Sequence, residues 1–260
     1  MKNGLKEKIE KHLEDYKNSE LKISECGEWW GNHKKYGHIL PIEKKFENII
    51  NYKNKIDSLL NEKDLHLGFH HLNSSQALAL NLFGPLVVEN KFSIINNRIS
   101  DNSKGIFEFV ESSKEGTHFD FYIQNSTDNF YFEVKYMEKD FGIADADEKH
   151  QQKYVEIYKN KLEQITQIDE NDLGNDFYKQ YQLWRNIIYA KNGYVFFVLP
   201  RFRDDLIKKV EAAKDKIKNE EIKNRVDVLI IDDLIKRCKE DDRFKEHYTK
   251  FEKKYLLFDN

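Results

Sequence analysis

The chain has 260 residues, 39% hydrophobic and 13% aromatic with only 3 prolines, which excludes a disordered or collagen-like polymer and provides for a sizeable core. Its 43 basic and 46 acidic residues leave a net charge of −3, which excludes a chain-wide basic field, so a nucleic-acid surface has to be local. Two distant cysteines, Cys26 and Cys238, suit a reducing compartment, and no run reaches the roughly 20 apolar residues of a membrane span. With no secretory apolar region in MKNGLKEKIEKHLEDYKNSE, the expected location is the cytoplasm, with no membrane partner.

Residues 1 to 20 read as an amphipathic helix with Leu5, Ile9, His12, Leu13 and Tyr16 on one stripe. The glycine-bearing stretch 24 to 41 reads as irregular, carrying Trp29, Trp30, Lys34 and Lys35 as an aromatic and basic group or as simple packing. A helix is expected from Pro41 to about Leu60. SSQALALNLFGPL follows, apolar on nearly every side and therefore buried, capped by Ser74 or Ser75 and stopped at Gly84-Pro85. Its polar members, Gln76 and Asn81, must find partners or face a functional cavity.

Strands are expected at 105 to 113, 117 to 124 and 129 to 137, spaced as an antiparallel meander. Helices at 148 to 165 and 176 to 190, a buried strand at 193 to 200, a lysine-rich helix at 204 to 219, a strand at 226 to 231 and a charged helical tail complete the series. The fold class is α/β, with no repeat or low-complexity linker dividing the chain.

The hairpin THFDFYIQNSTDNFYFEVKYM carries the chemistry. Alternation puts Phe119, Phe121 and Ile123 on one face of its first strand and His118, Asp120, Tyr122 and Gln124 on the other. A turn centred on Ser126-Thr127 sets Phe121 opposite Phe132, Tyr122 opposite Tyr131, Asp120 opposite Glu133 and His118 opposite Lys135. Opposed Cβ atoms lie about 5 Å apart, so the two carboxylates repel unless something positive sits between them. Mg²⁺ suits that place, because it takes oxygen ligands and retains waters that Lys135 can hold or polarise. A solvated surface trio is the bland alternative.

Asp120, twelve residues, then Glu133-Val134-Lys135 resembles the PD-(D/E)XK nuclease superfamily, whose restriction-endonuclease-like core runs helix, three strands, helix, strand. More narrowly, YGHILP, HLNSSQALALNLFGPL, THFDFYI, FEVKY and YQLWRNIIYA resemble a bacterial group described as restriction endonucleases. The resemblance implies a helical N-terminal extension (1–72), a nuclease core (73–200) and a C-terminal α/β extension (201–260) packed on that core as one domain. It implies Mg²⁺-dependent hydrolysis of DNA, with Mn²⁺ able to substitute, and a homodimer would suit double-strand cleavage. Asp120, Glu133 and the Val134 carbonyl would hold the metal, and Lys135 would orient the attacking water.

Phe119 stands where the superfamily has a proline, and Gln76 where many members carry a glutamate. Gln76, His118, Gln182 and Arg185 are the expected substrate-binding residues, with Gln182 and Arg185 binding the scissile phosphate or bracing Glu133. Arg201 and Arg203 are further candidates for backbone phosphates. Two rival readings stand beside this one. One is a non-catalytic nucleic-acid binder on the same fold. The other is a different metal-dependent hydrolase centred on His66, His70 and His71, which lack an HExxH pattern.

Overall fold

A computed structural model describes residues 4–112, 116–145 and 147–257. The N-terminal helix is α1 (Leu5–Ser19), which buries Ile9, Leu13 and Tyr16 as its stripe requires. Residues 1 to 3 of the expected helix and Ser113 of the expected first strand lie outside the described residues. The stretch expected to be irregular contains a small hairpin, β1 (Gly27–Trp29) and β2 (Lys34–Tyr36).

No continuous helix runs from Pro41 to Leu60. Two 3₁₀ turns (Ile42–Asn48 and Lys53–Lys55) and the short α2 (Ile56–Leu59) take its place. The interruption has a cause in Asn48, whose amide donates to the carbonyls of Phe69 and His71, both at 2.7 Å. The next turn of chain is pulled inward as well, where the Ile50 N–H donates to Asn81 Oδ1.

The buried helix is α3 (Ser75–Val88), with Ser74 accepting from the Ala77 N–H as its N-cap. It runs through Gly84-Pro85 instead of stopping there. Pro85 has no N–H for the Asn81 carbonyl, four residues back. His247 Nε2 donates to that carbonyl at 2.8 Å, and the Tyr248 hydroxyl caps the neighbouring Leu82 carbonyl at 2.7 Å. Distant side chains thus replace the missing helix bond.

A mixed five-stranded sheet has the order β3-β4-β5-β6-β7, comprising β3 (Lys104–Ser112), β4 (Thr117–Gln124), β5 (Asn129–Val134), β6 (Tyr194–Leu199) and β7 (Val226–Ile230). The meander β3-β4-β5 is antiparallel, whereas β5, β6 and β7 run parallel. Between β5 and β6 come α4 (Glu148–Lys153), a π turn, α5 (Lys159–Ile165), α6 (Glu170–Lys179) and α7 (Tyr181–Ile187). The helix expected over 176 to 190 is broken at Gln180. Carbonyls of Gly142 and Phe141 then accept the N–H groups of Tyr181 and Gln182, fixing a fresh helix start.

After β6 come α8 (Asp204–Asp215) and α9 (Glu220–Lys223), and after β7 come α10 (Ile231–Lys239) and α11 (Asp242–Tyr255). The charged tail is not a solvated appendage: α11 buries Phe244, His247, Tyr248, Phe251 and Tyr255. One core packs α1, α3, α10 and α11 on one sheet face, and a second packs α5 to α8 on the other. No helix among the described residues is long and apolar enough to cross a membrane.

Candidate active site

The β4–β5 ladder joins Gln124 to Asn129, Ile123 to Phe130, Tyr122 to Tyr131 and Phe121 to Phe132, the register the sequence implies. It ends there, and neither the expected Asp120–Glu133 pair nor the expected His118–Lys135 pair forms within it. β5 stays with β6 instead, the Lys135 N–H donating to the Val198 carbonyl at 3.1 Å. The Val134 N–H donates to Asp120 Oδ2 at 2.6 Å, so a carboxylate takes the place of a ladder carbonyl. The fork opens at the carboxyl ends of the parallel strands, where open α/β sheets bind ligands.

Glu133 is buried at 2% exposure and held from three sides. Gln182 Nε2 donates to its Oε1 at 2.6 Å, Asn186 Nδ2 to its Oε2 at 2.9 Å, and Lys135 Nζ lies 2.8 Å from Oε1. Gln182 and Asn186 are four apart on α7, one face of one turn, so the fresh helix start at Tyr181 aims both amides at the acid. Asn186 escaped the sequence reading. Its signal was a polar residue within the apolar run LWRNII.

Glu108 is the second residue of the candidate site that sequence reasoning missed. It lies on β3 between Phe107, paired with Phe121, and Phe109, paired with Phe119, which sets it opposite Asp120. Its φ of 50° is left-handed, a strained state for a residue other than glycine. The twist resets the alternation. Phe107 and Phe121 join one core while Phe109 and Phe119 join the other, so Phe119 does not share a face with Phe121 and Ile123 as expected. Nothing in GIFEFV announces that φ. Gln76, buried on α3, donates to Glu108 Oε1 at 2.8 Å and to the Asp64 carbonyl at 3.0 Å, and accepts from the His66 N–H. His66 Nε2 lies 3.4 Å from Glu108 Oε2, which raises the His66 pKa.

Burial pushes the Asp120 carboxyl well above the ordinary carboxylate range, and the charges of Glu133 and Glu108 add to the rise. Lys135 and the Val134 N–H oppose it without cancelling it. Burial pulls the Lys135 ammonium down, but Glu133, Glu138 and Asp120 outweigh it and its net shift is upward. Lys135 is therefore a charged donor at neutral pH rather than a base.

The remaining expected residues sit at varying remove. Arg185 Nη2 donates to the Gly116 carbonyl at 2.7 Å and to Thr117 Oγ1 at 3.2 Å, with its guanidinium over Tyr181, so it pins the start of β4 rather than Glu133. His118 is exposed on β4 opposite Val110. Arg203 is fully buried, donating to Asp205 and to the Tyr136 carbonyl, and is not placed for a phosphate.

Among the described residues no group of three or more His, Cys, Asp and Glu side chains gathers for a metal ion. The three clustered histidines diverge: His66 goes to Glu108, His70 Nε2 to the Glu28 carbonyl, and His71 packs edge-on against His70. The acid pair nonetheless suits one hard cation that keeps most of its waters. Asp120 Oδ1 receives no described hydrogen bond and Glu133 Oε2 receives one, and burial, with the charges of Glu133 and Glu108 added, raises the Asp120 pKa despite Lys135.

The sequence matches the family model described as Restriction Endonuclease associating with ARP over residues 10–256. The chain belongs to this restriction endonuclease family. Membership associates it with nuclease-type function. No curated protein and no solved structure matches it.

Proposed function

We propose that this member of the restriction endonuclease family is a Mg²⁺-dependent nuclease that hydrolyses phosphodiester bonds of DNA, on a restriction-endonuclease-like core formed by α3, β3-β4-β5, α7 and β6. The observation that carries the reading is the fork, which brings Asp120, Glu133 and the Lys135 ammonium together at the carboxyl end of β5.

Asp120, Glu133 and the Val134 carbonyl would hold Mg²⁺ or Mn²⁺, which supplies Lewis-acid polarisation of the phosphate when bound. Gln182 and Asn186 fix the Glu133 carboxylate so that it needs no reorganisation during the reaction. The charged Lys135 orients the attacking water and stabilises the negative charge that builds on the phosphoryl oxygens. The water oxygen bonds to phosphorus and releases a proton to solvent, the P–O3′ bond breaks, and the leaving oxygen takes a proton from solvent to become a 3′-hydroxyl beside a 5′-phosphate. A homodimer presenting two such forks would cut both strands.

The test is single-turnover cleavage of duplex DNA with Mg²⁺ or Mn²⁺, alongside calorimetric metal titration of wild type and Asp120→Asn. Cleavage should require the metal, and the Asn variant should bind it more weakly. A folded wild type that binds neither cation at this site would leave the non-catalytic nucleic-acid binder in possession.

A further inference from the structure

A cavity of about 470 Å³ opens beside the fork. Its lining includes His66, which contacts Glu108, and Glu138, whose charge acts on Lys135, so it approaches the acid centre from two sides. The volume falls within the roughly 300–1,000 Å³ of small-molecule sites. Trp29 and Tyr36 form two of its walls, their rings meeting edge to face at 6.2 Å and an angle of 69°. Trp29 remains 41% exposed, which leaves much of its indole free to stack.

His71 Nε2 is buried without a hydrogen-bond partner among the described residues. Burial brings the His71 and His38 imidazoles down to about 4, so at neutral pH each offers one donor and one acceptor. That pairing matches the mixed edge of a nucleobase. Ser74 and Ser75 also line the cavity, and with them the N-terminus of the 14-residue α3, whose free N–H groups favour an anionic oxygen. Leu67, 73% exposed between the lining residues His66 and Gly68, stands at the rim with no apolar cover. An apolar side chain so placed can wedge into a base stack.

We propose that this cavity receives one unpaired nucleotide of the nucleic-acid substrate, its base stacked on Trp29 and edge-bonded by His71, with Leu67 filling the gap left in the stack. The inference rests on the reading of the substrate as nucleic acid, and adds that the protein engages a base outside the duplex. A stacked base contributes enough that losing its platform should weaken binding by roughly 10-fold or more.

The probe is an oligonucleotide carrying a single 2-aminopurine, single-stranded or opposite an abasic site in a duplex, titrated in EDTA. Wild type should quench 2-aminopurine fluorescence on binding, and Trp29→Ala should remove the quench and weaken binding. His71→Ala should weaken binding while keeping part of the quench. Leu67→Ala, a change at an exposed position that leaves the fold alone, should weaken binding of the duplex probe and spare the single strand. Unchanged quenching in folded Trp29→Ala, or equal affinity for an oligonucleotide abasic at the probe position, would overturn the proposal. Competition by free deoxynucleoside monophosphate at the oligonucleotide's own concentration would also overturn it, by making the occupant a free nucleotide. The nuclease reading fails separately: a protein that quenches but never cleaves in Mg²⁺ loses that reading and keeps this one.

Discussion

Lys135 and Lys254 are both withdrawn from solvent, at 7% and 0% exposure, yet their surroundings treat the ammonium in opposite ways. Lys135 sits among Glu133, Glu138 and Asp120, and its pKa rises despite burial. Lys254 lies 4.6 Å from the Tyr255 ring and donates to the Asn48 carbonyl at 2.6 Å and to Asn48 Oδ1 at 2.5 Å. Burial dominates there and its pKa falls well below the ordinary lysine value. The difference teaches that neutral acceptors and rings do not replace a carboxylate as compensation for a desolvated charge. One lysine is held charged beside the acids of the fork. The other serves as a structural donor.

The comparison breaks most visibly in turnover. Lys135→Ala should lower single-turnover cleavage by roughly 10²–10³-fold, as for other lost electrostatic donors. Folded Lys254→Met should cleave at the wild-type rate. Equal losses in both variants would mean that Lys135 has no special part in the reaction.

Stability gives the next contrast, read from urea midpoints at pH 7. Lys135→Met strands Glu133 as a buried charge and should cost about 3–5 kcal/mol. Lys254→Met strands only the two Asn48 acceptors and should cost about 1–3 kcal/mol. A reversed order would show that Gln182 and Asn186 already satisfy Glu133 without the ammonium.

Asp120→Asn should have the opposite sign in metal-free protein. Folded Asp120 holds its proton at higher pH than the unfolded chain does, so wild-type stability falls as pH rises through the window above the ordinary carboxylate range. The Asn variant can still accept from the Val134 N–H, and should be more stable than wild type by about 1–3 kcal/mol at pH 8, with the gain fading toward pH 4. Equal denaturation midpoints at pH 8 would mean the carboxylates are not in conflict.

The smallest effect is one of slope. Unfolded chains bind the Lys254 proton more tightly than the folded protein does, so wild type should gain stability relative to Lys254→Met as pH climbs from 7 toward 10. Lys135 contributes almost no slope there, because its contribution is full below the ordinary lysine value and is lost only as pH rises from that value toward its raised one. A flat difference between wild type and Lys254→Met over that range would remove Lys254 from the comparison.

The hairpin register was legible because its aromatic residues allow one pairing that matches both faces, Phe121 with Phe132 and Tyr122 with Tyr131. That register places Asp120 and Glu133 just beyond its last pair, at the mouth of the fork. What could not be read was the opening of the ladder beyond Phe121, since it depends on β5 preferring β6 and on the left-handed φ of Glu108. Neither leaves a trace in local composition. The helix expected from Pro41 failed for a related reason: tertiary partners of Asn48 and Asn81 override the local pattern. The charged tail was legible as a helix, but not the extent of its burial, because α11 turns its aromatic stripe inward together with Lys254.

The proline in α3 has a consequence for the order in which the molecule assembles. The carbonyls of Asn81 and Leu82 wait for His247 and Tyr248, which a ribosome delivers long after α3 and all five strands of the sheet have emerged. Contacts between such distant stretches of chain carry a loop-closure cost that local helices avoid, and they slow folding. Until α11 arrives, α3 holds exposed polar groups at its centre, and the Gln76–Glu108 link at its N-terminal end rests on an unfinished helix. The nascent chain thus carries every residue of the fork well before it carries the means to hold α3 rigid, which delays completion of the proposed nuclease centre until synthesis has passed Tyr248.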